Sequence, residues 1–389
     1  MMKKITLLGS TGSIGVNALD VIRQHPDKFS VFALTAHTQF EKLLAQCIEF
    51  KPNYAVLTHE ESGFALRQHL KNAGCQTEVL IGESGLIHVA ECSETDYVIA
   101  AIVGAKGLLP TLAAAKAGKT ILLANKETLV MAGALFKTIL EKSGAVFLPI
   151  DSEHNAIFQC LPSTKKDNPD IVKVLITASG GPFRTLPLDK MLTITPEQAC
   201  AHPVWKMGRK ISIDSATMMN KGLEIIEAYW LFDLPIEKID VILHPQSIIH
   251  SLVEYCDGSL LAQLGAPDMR IPIAYALSWP QRMNSGAETL DLLKISQLHF
   301  EALDPLRFPC LNLAYEALKA GGVLPTVLNA ANEIAVDAFL TGEIRFTDIA
   351  RINAHILEQT QFSSYSDLET VLHYDNEARH KALEFIKSF

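Results

Sequence analysis

Apolar runs and helical patterns alternate over the first 150 residues of the chain. Strand-like apolar runs occur at residues 5–8, 30–35, 54–57, 79–81, 97–100, 121–123 and 146–148. Apolar residues at helical spacing lie between most of these runs, most clearly at 106–117 and 127–141. Strands that alternate with helices are typical of a doubly wound α/β fold with a parallel sheet. We therefore predict a Rossmann-like nucleotide-binding domain over residues 1–150.

The pattern changes after residue 150. Strand-like runs return, after a polar turn at 165–170, at residues 172–177, 241–243, 248–254 and 259–264. Cys256-Asp257-Gly258 between the last two runs is a hairpin signal. Helical patterns follow at 311–319, 326–340, 348–358 and 367–387. We predict a central α+β catalytic domain over 151–285, a linker over 286–310 and a C-terminal helical bundle over 311–389.

Composition narrows the class of protein. A chain of 389 residues exceeds the size of one hydrophobic core, and its formal net charge of −9 disfavours a nucleic-acid binder, which needs a basic surface. Seven scattered cysteines without a C-x-x-C pair indicate reduced thiols. No apolar run approaches the roughly 18 residues of a membrane span. We expect a cytoplasmic protein with neither a nucleic-acid nor a membrane partner.

A glycine-rich turn follows the first predicted strand. Gly9, Gly12 and Gly15 lead from that strand into a helical pattern. Strand, glycine turn and helix in this order place free backbone amides and the positive helix end against a pyrophosphate. The spacing is G-x-x-G-x-x-G and not G-x-G-x-x-G, but its position after the first strand favours a dinucleotide site.

The end of the second predicted strand bears on the choice between NAD and NADP. An NAD site usually places an acidic residue there for the ribose 2′-hydroxyl, and this chain has His37, Thr38 and Gln39 instead. The absence of an acid favours NADP weakly. His37 and Thr38 are the candidate partners of a 2′-phosphate.

Two groups of charged residues follow predicted strands near the end of this domain. Asp151 and Glu153 are two residues apart, and on an extended chain their carboxylates would point the same way, which suits Mg²⁺ or Mn²⁺. Lys126, between Asn125 and Glu127, follows another strand at the edge where such sheets bind ligands. The alternatives are a solvated acidic turn and an exposed lysine at a helix start.

The second half of the chain offers candidate anion-binding residues. Ser179 precedes two glycines in a loop after a predicted strand, and Ser215, Asn220 and Lys221 could clamp a phosphate through hydroxyl, amide and ammonium donors. Glu224 follows on a predicted helix that ends near residue 232, and could complete a three-carboxylate metal site.

Residues 200–210 form a candidate lid. The segment holds His202, Trp205, Met207 and three cations but shows neither regular period, as expected of a loop that closes over a phosphorylated ligand. The alternative is an ordinary loop in which Trp205 packs against the core.

Several motifs in order resemble one enzyme family. They are Gly9-Ser-Thr-Gly-Ser-Ile-Gly15, Leu123-Ala-Asn-Lys-Glu127, Pro149-Ile-Asp-Ser-Glu-His-Asn155, Ala178-Ser-Gly-Gly-Pro-Phe183, His202-Pro-Val-Trp-Lys-Met-Gly208 and Met218-Met-Asn-Lys-Gly-Leu-Glu224. Together they closely resemble the 1-deoxy-D-xylulose 5-phosphate reductoisomerase family over essentially the whole length. The resemblance implies a homodimer that uses NADPH and Mg²⁺ or Mn²⁺. It also implies rearrangement and reduction of that substrate to 2-C-methyl-D-erythritol 4-phosphate, in non-mevalonate isoprenoid biosynthesis.

The resemblance also implies a role for each matching residue. The implied metal ligands are Asp151, Glu153 and Glu224, which with Lys126 are the implied catalytic residues. The implied substrate-binding residues are Ser152, Glu153, Ser179, His202, Trp205, Met207, Ser215, Asn220, Lys221 and Glu224. The implied cofactor-binding residues are Thr11, Gly12, Ser13, Ile14, Asn125, Lys126, Glu127 and Gly208, to which the end of the second predicted strand adds the candidates His37, Thr38 and Gln39.

Two other functions compete with this one. Another NADP-dependent reductase of a phosphorylated aldehyde would need a catalytic cysteine, and none of the seven has a nucleophile-like setting. A redox-sensing regulator on a Rossmann domain would have no use for converging carboxylates beside a phosphate clamp.

The chain departs from the family at residues 37–39, where the family commonly has glycine, then lysine or serine, then asparagine.

Overall fold

The computed structural model of the chain describes residues 2–161, 169–205 and 207–388 and contains two compact units. The first unit comprises Met1–Thr128, Phe136–Asn155 and Asp268–Glu288. The second comprises Leu129–Leu135, Ala156–Pro267 and Thr289–Phe389. Within the described residues, no helix combines the length and the apolar character needed to cross a membrane.

Strands and helices alternate through the first part of the chain, and helices dominate its last part. The strands are β1 (Lys3–Leu8), β2 (Phe29–Ala36), β3 (Tyr54–Leu57), β4 (Glu78–Ile81), β5 (Tyr97–Ala100), β6 (Thr120–Leu123), β7 (Val146–Pro149), β8 (Ile171–Ala178), β9 (Ile239–Leu243), β10 (Ile249–Tyr255) and β11 (Leu260–Leu264). The helices are α1 (Ser13–Gln24), α2 (Phe40–Phe50), α3 (Glu60–Asn72), α4 (Glu83–Glu91), α5 (Leu108–Lys116), α6 (Lys126–Ser143), α7 (Ser152–Cys160), α8 (Pro196–Cys200), α9 (Arg209–Ala216), α10 (Met219–Phe232), α11 (Arg270–Ser278), α12 (Leu292–Ile295), α13 (Pro309–Ala320), α14 (Leu324–Thr341), α15 (Asp348–Glu358) and α16 (Leu368–Ile386).

The sheet of the first unit confirms the predicted doubly wound fold. Its seven strands are all parallel and lie in the order β4-β3-β2-β1-β5-β6-β7. The central strand β1 is buried on both sides, with Ile5, Leu7 and Leu8 at most 1% exposed. Such continuous apolar runs are expected of parallel strands that helices cover on both faces. The seven predicted strands match the observed ones to within one or two residues.

The strand order reverses between β1 and β5, and the glycine turn lies at that point. Gly9 follows β1 with φ +86°, and a Cβ there would come within 2.7 Å of the carbonyl oxygen of Ala101. A Cβ on Gly15 would come within 2.5 Å of the carbonyl oxygen of Gly9. Because a side chain fits at neither position, the turn brings the start of α1 close to the carboxyl end of the sheet, where such folds bind ligands.

The second unit combines the smaller sheet and the helical bundle, which were both predicted, within one compact unit. The sheet has the order β11-β10-β8-β9, with β10 and β11 forming the expected antiparallel hairpin. Helix α14 packs against α13, α15 and α16, and its apolar residues form one continuous core with those of the sheet. Fully buried members include Val253 from the sheet and Phe339 from α14.

Two local predictions need correction. The segment from Asp151 to Glu153 is not extended, because helix α7 begins at Ser152. Helix α9 occupies Arg209–Ala216, where no helix was predicted, and Met218 with φ +61° separates it from α10. The predicted turn at 165–170 falls, up to residue 168, outside the described residues, as does Lys206 of the predicted lid.

A buried polar network joins helix α9 to the helical bundle. Asp214 is 1% exposed, accepts a hydrogen bond from Asn332 Nδ2 (2.8 Å) and forms an ion pair with Lys210 Nζ (2.8 Å). Asn353 Nδ2 in turn donates to Asn332 Oδ1 (3.1 Å). A buried carboxylate is stable only while such partners compensate for its lost hydration.

We expect Asn332→Leu to lower the free energy of unfolding by about 3 kcal/mol, because it removes one partner from the Asp214 carboxylate and one from the Asn353 amide. Urea denaturation measures the change. Asn312→Leu on the exposed face of α13 serves as the control and should change the value by less than about 0.5 kcal/mol. If the two substitutions lowered the free energy of unfolding equally, the network would contribute no more to stability than an exposed residue does.

Candidate active site

A lysine–aspartate pair lies at the carboxyl edge of the first sheet. Lys126, the first residue of α6, donates from Nζ to Asp151 Oδ2 at 2.8 Å, and the two side chains are only 11% and 13% exposed. His154 Nδ1 lies 3.3 Å from Asp151 Oδ1. Burial alone would raise the pKa of Asp151, but the Lys126 ammonium and the His154 ring outweigh it and hold that pKa well below its usual range. Asp151 is therefore ionised at neutral pH.

The Asp151 side chain also caps the start of helix α7 and so orients Glu153. Its Oδ1 accepts the backbone N–H of Glu153 at 3.2 Å, as an N-cap carboxylate does. Ser152 Oγ donates to Glu153 Oε2. The prediction that both carboxylates lie on an extended strand is therefore wrong, because the helix turn, not strand alternation, sets their relative position.

Asn125 has a structural role that the sequence did not indicate. It is 2% exposed, and its Oδ1 accepts the Thr128 N–H at 2.9 Å, which caps α6. Its Nδ2 donates to the carbonyl oxygens of Gly104 (3.0 Å) and Ile102. These bonds attach the start of α6, and with it Lys126 and Glu127, to the loop that follows β5.

The glycine turn presents its predicted residues to solvent. Gly12 and Ser13 are exposed at the start of α1, where the first N–H groups of a helix have no intrahelical partner. Lys42 Nζ donates to the Thr11 carbonyl at 2.6 Å. The Gly12 N–H already donates to the Gly9 carbonyl at 3.2 Å, so the first amides of α1 and a nearby ammonium are the donors that a pyrophosphate could use; Ile14 is half-buried.

The predicted residues of the second strand end are also exposed. His37, Thr38 and Gln39 directly follow β2, and Gln39 is the residue before α2. His37 Nδ1 is hydrogen-bonded to Thr58 Oγ1 at 2.7 Å.

In the second unit, two of the predicted phosphate-binding residues contact a buried glutamate. Glu224 is 1% exposed, and its two carboxylate oxygens accept hydrogen bonds from Asn220 Nδ2 and Lys221 Nζ. Lys221 is itself 4% exposed. The helical spacing of α10 brings the three side chains onto one face. In this arrangement the amide and the ammonium contact the predicted metal ligand.

The loop after β8 brings Ser179 close to the end of α9. Gly181 adopts φ +65°, and a Cβ there would come within 2.8 Å of the Ser215 carbonyl oxygen. Ser179 Oγ accepts the Gly181 N–H at 3.2 Å. Glycine is therefore required for the close approach that places the predicted serines Ser179 and Ser215 on neighbouring segments.

His202 connects the predicted lid to Ser179. Its Nδ1 accepts the backbone N–H groups of Val204 (3.2 Å) and Trp205 (2.8 Å), so the proton of the neutral ring is on Nε2. Nε2 lies 3.0 Å from Ser179 Oγ and donates to it. Since that oxygen already accepts hydrogen bonds, the Ser179 hydroxyl proton remains available to an anion.

One residue of this region was missed from the sequence. His250 in β10 is 7% exposed, and its ring lies 6.2 Å from that of Trp205. Burial lowers its pKa to about 4, and nearby His244 and Lys221 also act to lower it. The only sequence signal was a histidine within an apolar strand, which usually indicates a satisfied core residue.

Met207 is half-buried, and Gly208 is exposed at the start of α9.

Three of the seven cysteines are poorly suited to act as nucleophiles. Burial raises the pKa of Cys47 and Cys310 to about 12 and that of Cys160 to about 11, the opposite of what catalysis by a thiolate needs. This argues against the competing aldehyde reductase that uses a catalytic cysteine.

Comparison with known proteins gives one consistent family. Family models match residues 5–133 (1-deoxy-D-xylulose 5-phosphate reductoisomerase), 147–232 (1-deoxy-D-xylulose 5-phosphate reductoisomerase C-terminal domain) and 264–381 (DXP reductoisomerase C-terminal domain). The 1-deoxy-D-xylulose 5-phosphate reductoisomerase of Cupriavidus metallidurans is 60% identical over 382 residues, which cover 98% of this chain and 97% of the relative. That of Pseudomonas putida is 56% identical over 388 residues, 99% of this chain and 97% of the relative.

Solved structures give the same result. A crystal structure of DOX-P reductoisomerase in complex with NADPH, fosmidomycin and magnesium has a TM-score of 0.96 and 48% identity, and the match covers 99% of this chain and 98% of that one. The Zymomonas mobilis enzyme in complex with NADPH has a TM-score of 0.93 and 48% identity, with complete coverage of both chains.

We expect the loop at His202 to become less ordered as the pH falls. Burial lowers the pKa of His202 below its usual 6.5, so the folded loop favours the neutral ring. Its contribution to stability is complete above about pH 6.5 and is lost as the pH falls from there through the lowered pKa. Hydrogen-exchange protection factors of the Val204 and Trp205 amides should then fall about tenfold, as two backbone hydrogen bonds weaken.

His202→Asn removes the titrating ring, so protection in that variant should be independent of pH between 8 and about 5. His373→Asn, at an exposed position on α16, is the matched control and should keep the wild-type dependence. If His202→Asn retained the pH dependence, another group would be responsible for it.

Proposed function

The chain belongs to the 1-deoxy-D-xylulose 5-phosphate reductoisomerase family, and we infer that it converts that substrate to 2-C-methyl-D-erythritol 4-phosphate with NADPH and a divalent metal ion. It is an oxidoreductase of non-mevalonate isoprenoid precursor biosynthesis. The observation that carries this conclusion is the buried ion pair of Lys126 and Asp151 at the carboxyl edge of a nucleotide-binding sheet. At that edge, an acid–base pair is next to the site where such sheets bind a dinucleotide.

The glycine turn suits a dinucleotide. Thr11, Gly12, Ser13 and Ile14 would bind the pyrophosphate through backbone amides at the start of α1, in a turn that admits no side chain at Gly15. Residues 37–39 would bind the adenosine ribose. Asn125, Lys126, Glu127 and Gly208 would lie near the ribose and nicotinamide.

The carboxylates suit a hard divalent cation. Asp151 and Glu153 each offer a carboxylate oxygen, and Glu224 would supply the third ligand of the ion. Asp151 is ionised because Lys126 and His154 lower its pKa, so no proton has to leave it before a cation binds. When bound, the ion would supply a Lewis acid for the substrate oxygens, and NADPH would supply the hydride.

The remaining polar residues would bind and orient the substrate. Ser179, Ser215, Asn220 and Lys221 offer hydroxyl, amide and ammonium donors to the phosphate group, whose binding energy is remote from the reacting carbons. Ser152 would contact the sugar backbone, and Lys126 would hold or donate a proton at a substrate oxygen. His202, Trp205 and Met207, on the loop that His202 joins to Ser179, would exclude water from the closed site.

These roles assign one function to each part of the chain. Residues 1–150 would bind NADPH, 151–285 would bind metal and substrate beneath a lid at about 200–210, 286–310 would act as a linker, and 311–389 would support the catalytic helices. A cytoplasmic location is supported by seven free cysteines, which suit a reducing compartment.

A homodimer is supported by the edge of the second sheet. Strand β11 is an edge strand, and its residues Leu260, Leu261 and Leu264 are 50%, 49% and 37% exposed. An apolar edge strand that nothing covers is prone to pair with another chain. A second copy of this chain, bound along β11, would bury these leucines.

Catalysis should require both the metal and Glu224. Purified protein should oxidise NADPH when 1-deoxy-D-xylulose 5-phosphate and Mn²⁺ are both present, and chelation should abolish the reaction. Glu224→Gln should lower turnover at least about a hundredfold because a neutral amide binds a divalent cation poorly. NADPH affinity should be unchanged, which shows that the fold is intact.

Glu316→Gln, on the exposed face of α13, is the control and should keep wild-type turnover. NADPH oxidation that does not depend on metal would contradict the proposed function. Near-normal turnover of Glu224→Gln would remove only Glu224 from the metal site.

The dimer proposal predicts the effect of charges on β11. Leu260→Glu with Leu264→Glu should shift the mass in solution, measured by light scattering after size-exclusion chromatography, from two chains to one. The control replaces Leu292 and Leu293, which are 58% and 93% exposed on α12, by glutamate and should leave the dimer intact. A wild-type protein with the mass of a single chain would refute the proposal.

A further inference from the structure

Two histidines lie side by side where the second and third strands of the first sheet end. Strand β3 pairs with β2 in parallel, so the residues after both strands meet at the same edge. The Thr58 N–H donates to the Ala36 carbonyl and the His59 N–H to the His37 carbonyl, each at 3.2 Å. The two imidazole rings are 6.2 Å apart and nearly perpendicular, at 83°, and both residues are exposed.

The contacts of His59 determine which of its nitrogens carries the proton. His59 is the N-cap of α3, and its Nδ1 accepts the backbone N–H of Ser62 at 3.4 Å. A ring nitrogen that accepts a backbone N–H carries no proton, so the proton of the neutral ring is on Nε2. His59 Nε2–H is therefore a hydrogen-bond donor whose orientation the helix cap fixes.

The exposed His37 contacts the neighbouring strand end through one ring nitrogen. His37 Nδ1 is held by Thr58 Oγ1 at 2.7 Å, which fixes the ring relative to β3. A hydroxyl can donate or accept, so this contact is compatible with a neutral or a charged imidazole.

The surrounding charges leave this recognition to the histidines. The charged residues on the first turns of the adjoining helices are Glu41 and Lys42 on α2 and Glu60 and Glu61 on α3. Lys42 donates to the Thr11 carbonyl on the glycine turn. The strand end itself, residues 36–39, has no arginine, lysine or acidic residue.

We propose that His37 and His59 together bind the 2′-phosphate of NADPH and that His59, which begins α3, is a determinant of the preference for NADPH over NADH. The assignment rests on the proposed function. The ribose 2′-position of a dinucleotide lies at the end of the second strand, where an acidic residue would select NAD. The His59 Nε2–H donor, with the His37 ring beside it, favours a phosphate dianion over a hydroxyl at that place.

The test measures the Kd of NADPH and of NADH without substrate or metal, by protein fluorescence or calorimetry. His37→Ala and His59→Asn should each weaken NADPH binding about tenfold, as expected for one charge-assisted hydrogen bond, and change the Kd of NADH less than about twofold. Asparagine is a favoured N-cap residue, so His59→Asn retains the cap of α3 while withdrawing the Nε2 donor. His37→Lys should keep or increase the wild-type preference for NADPH over NADH because it places a cation at the same position.

His373→Asn is the control. His373 is an exposed histidine on α16 in the second unit, and its replacement should change neither affinity. Equal loss of NADPH and NADH affinity in His59→Asn, or an unchanged NADPH affinity, would overturn the role of His59. Failure of the wild-type protein to bind either cofactor would instead overturn the proposed function, and this assignment with it.

Discussion

The carboxylate of Asp151 makes the contacts on which the first unit's part of the site depends. It pairs with the Lys126 ammonium at the end of a neighbouring strand and accepts the Glu153 N–H at the start of α7. The same group therefore joins two strand ends and begins the helix that carries Ser152 and Glu153. A neutral side chain at this position could cap α7 but would remove the negative charge that Asp151 sets beside the buried Lys126 ammonium, which is costly in a region of low dielectric.

The two units share one electrostatic feature. In each of them, a lysine forms an ion pair with a largely buried carboxylate that is a candidate metal ligand. Lys126 contacts Asp151, and Lys221 contacts Glu224. An ammonium keeps a buried carboxylate ionised, as the lowered pKa of Asp151 shows, so the ligand is ready for a cation. Each lysine then has a second proposed use, Lys126 toward a substrate oxygen and Lys221 toward the phosphate, which links metal binding to substrate binding.

Much of the fold could be predicted because a strand that is buried on both faces is a continuous apolar run in the sequence. The seven strands of the first sheet are short apolar runs between helices, and Tyr54–Leu57 and Tyr97–Ala100 were predicted with their observed bounds. Local polar segments were harder. Residues 151–153 contain no apolar period, and only the capping contact of Asp151 shows that a helix begins there. Asn125 looks like a ligand in sequence, but its bonds to Thr128 and Gly104 show that it caps a helix. His250 could not be recognised, because a histidine in an apolar strand is indistinguishable from a core residue until Trp205 is placed beside it.

Neutral imidazoles recur as acceptors of backbone N–H groups, and this explains how polar loops are held in position. His202 accepts two amides of its own loop at Nδ1, and His59 accepts one at the start of α3. In both cases the accepting nitrogen leaves the other as an N–H donor with a fixed direction. His202 directs that donor to Ser179 and thereby leaves the serine proton for a ligand, whereas His59 presents it at the end of the second and third strands. A carboxylate cap would hold either loop equally well but would repel a phosphate, whereas a lysine would attract the phosphate but could not accept the backbone N–H groups. A neutral histidine does both, and in this way these two positions join loop structure to anion binding.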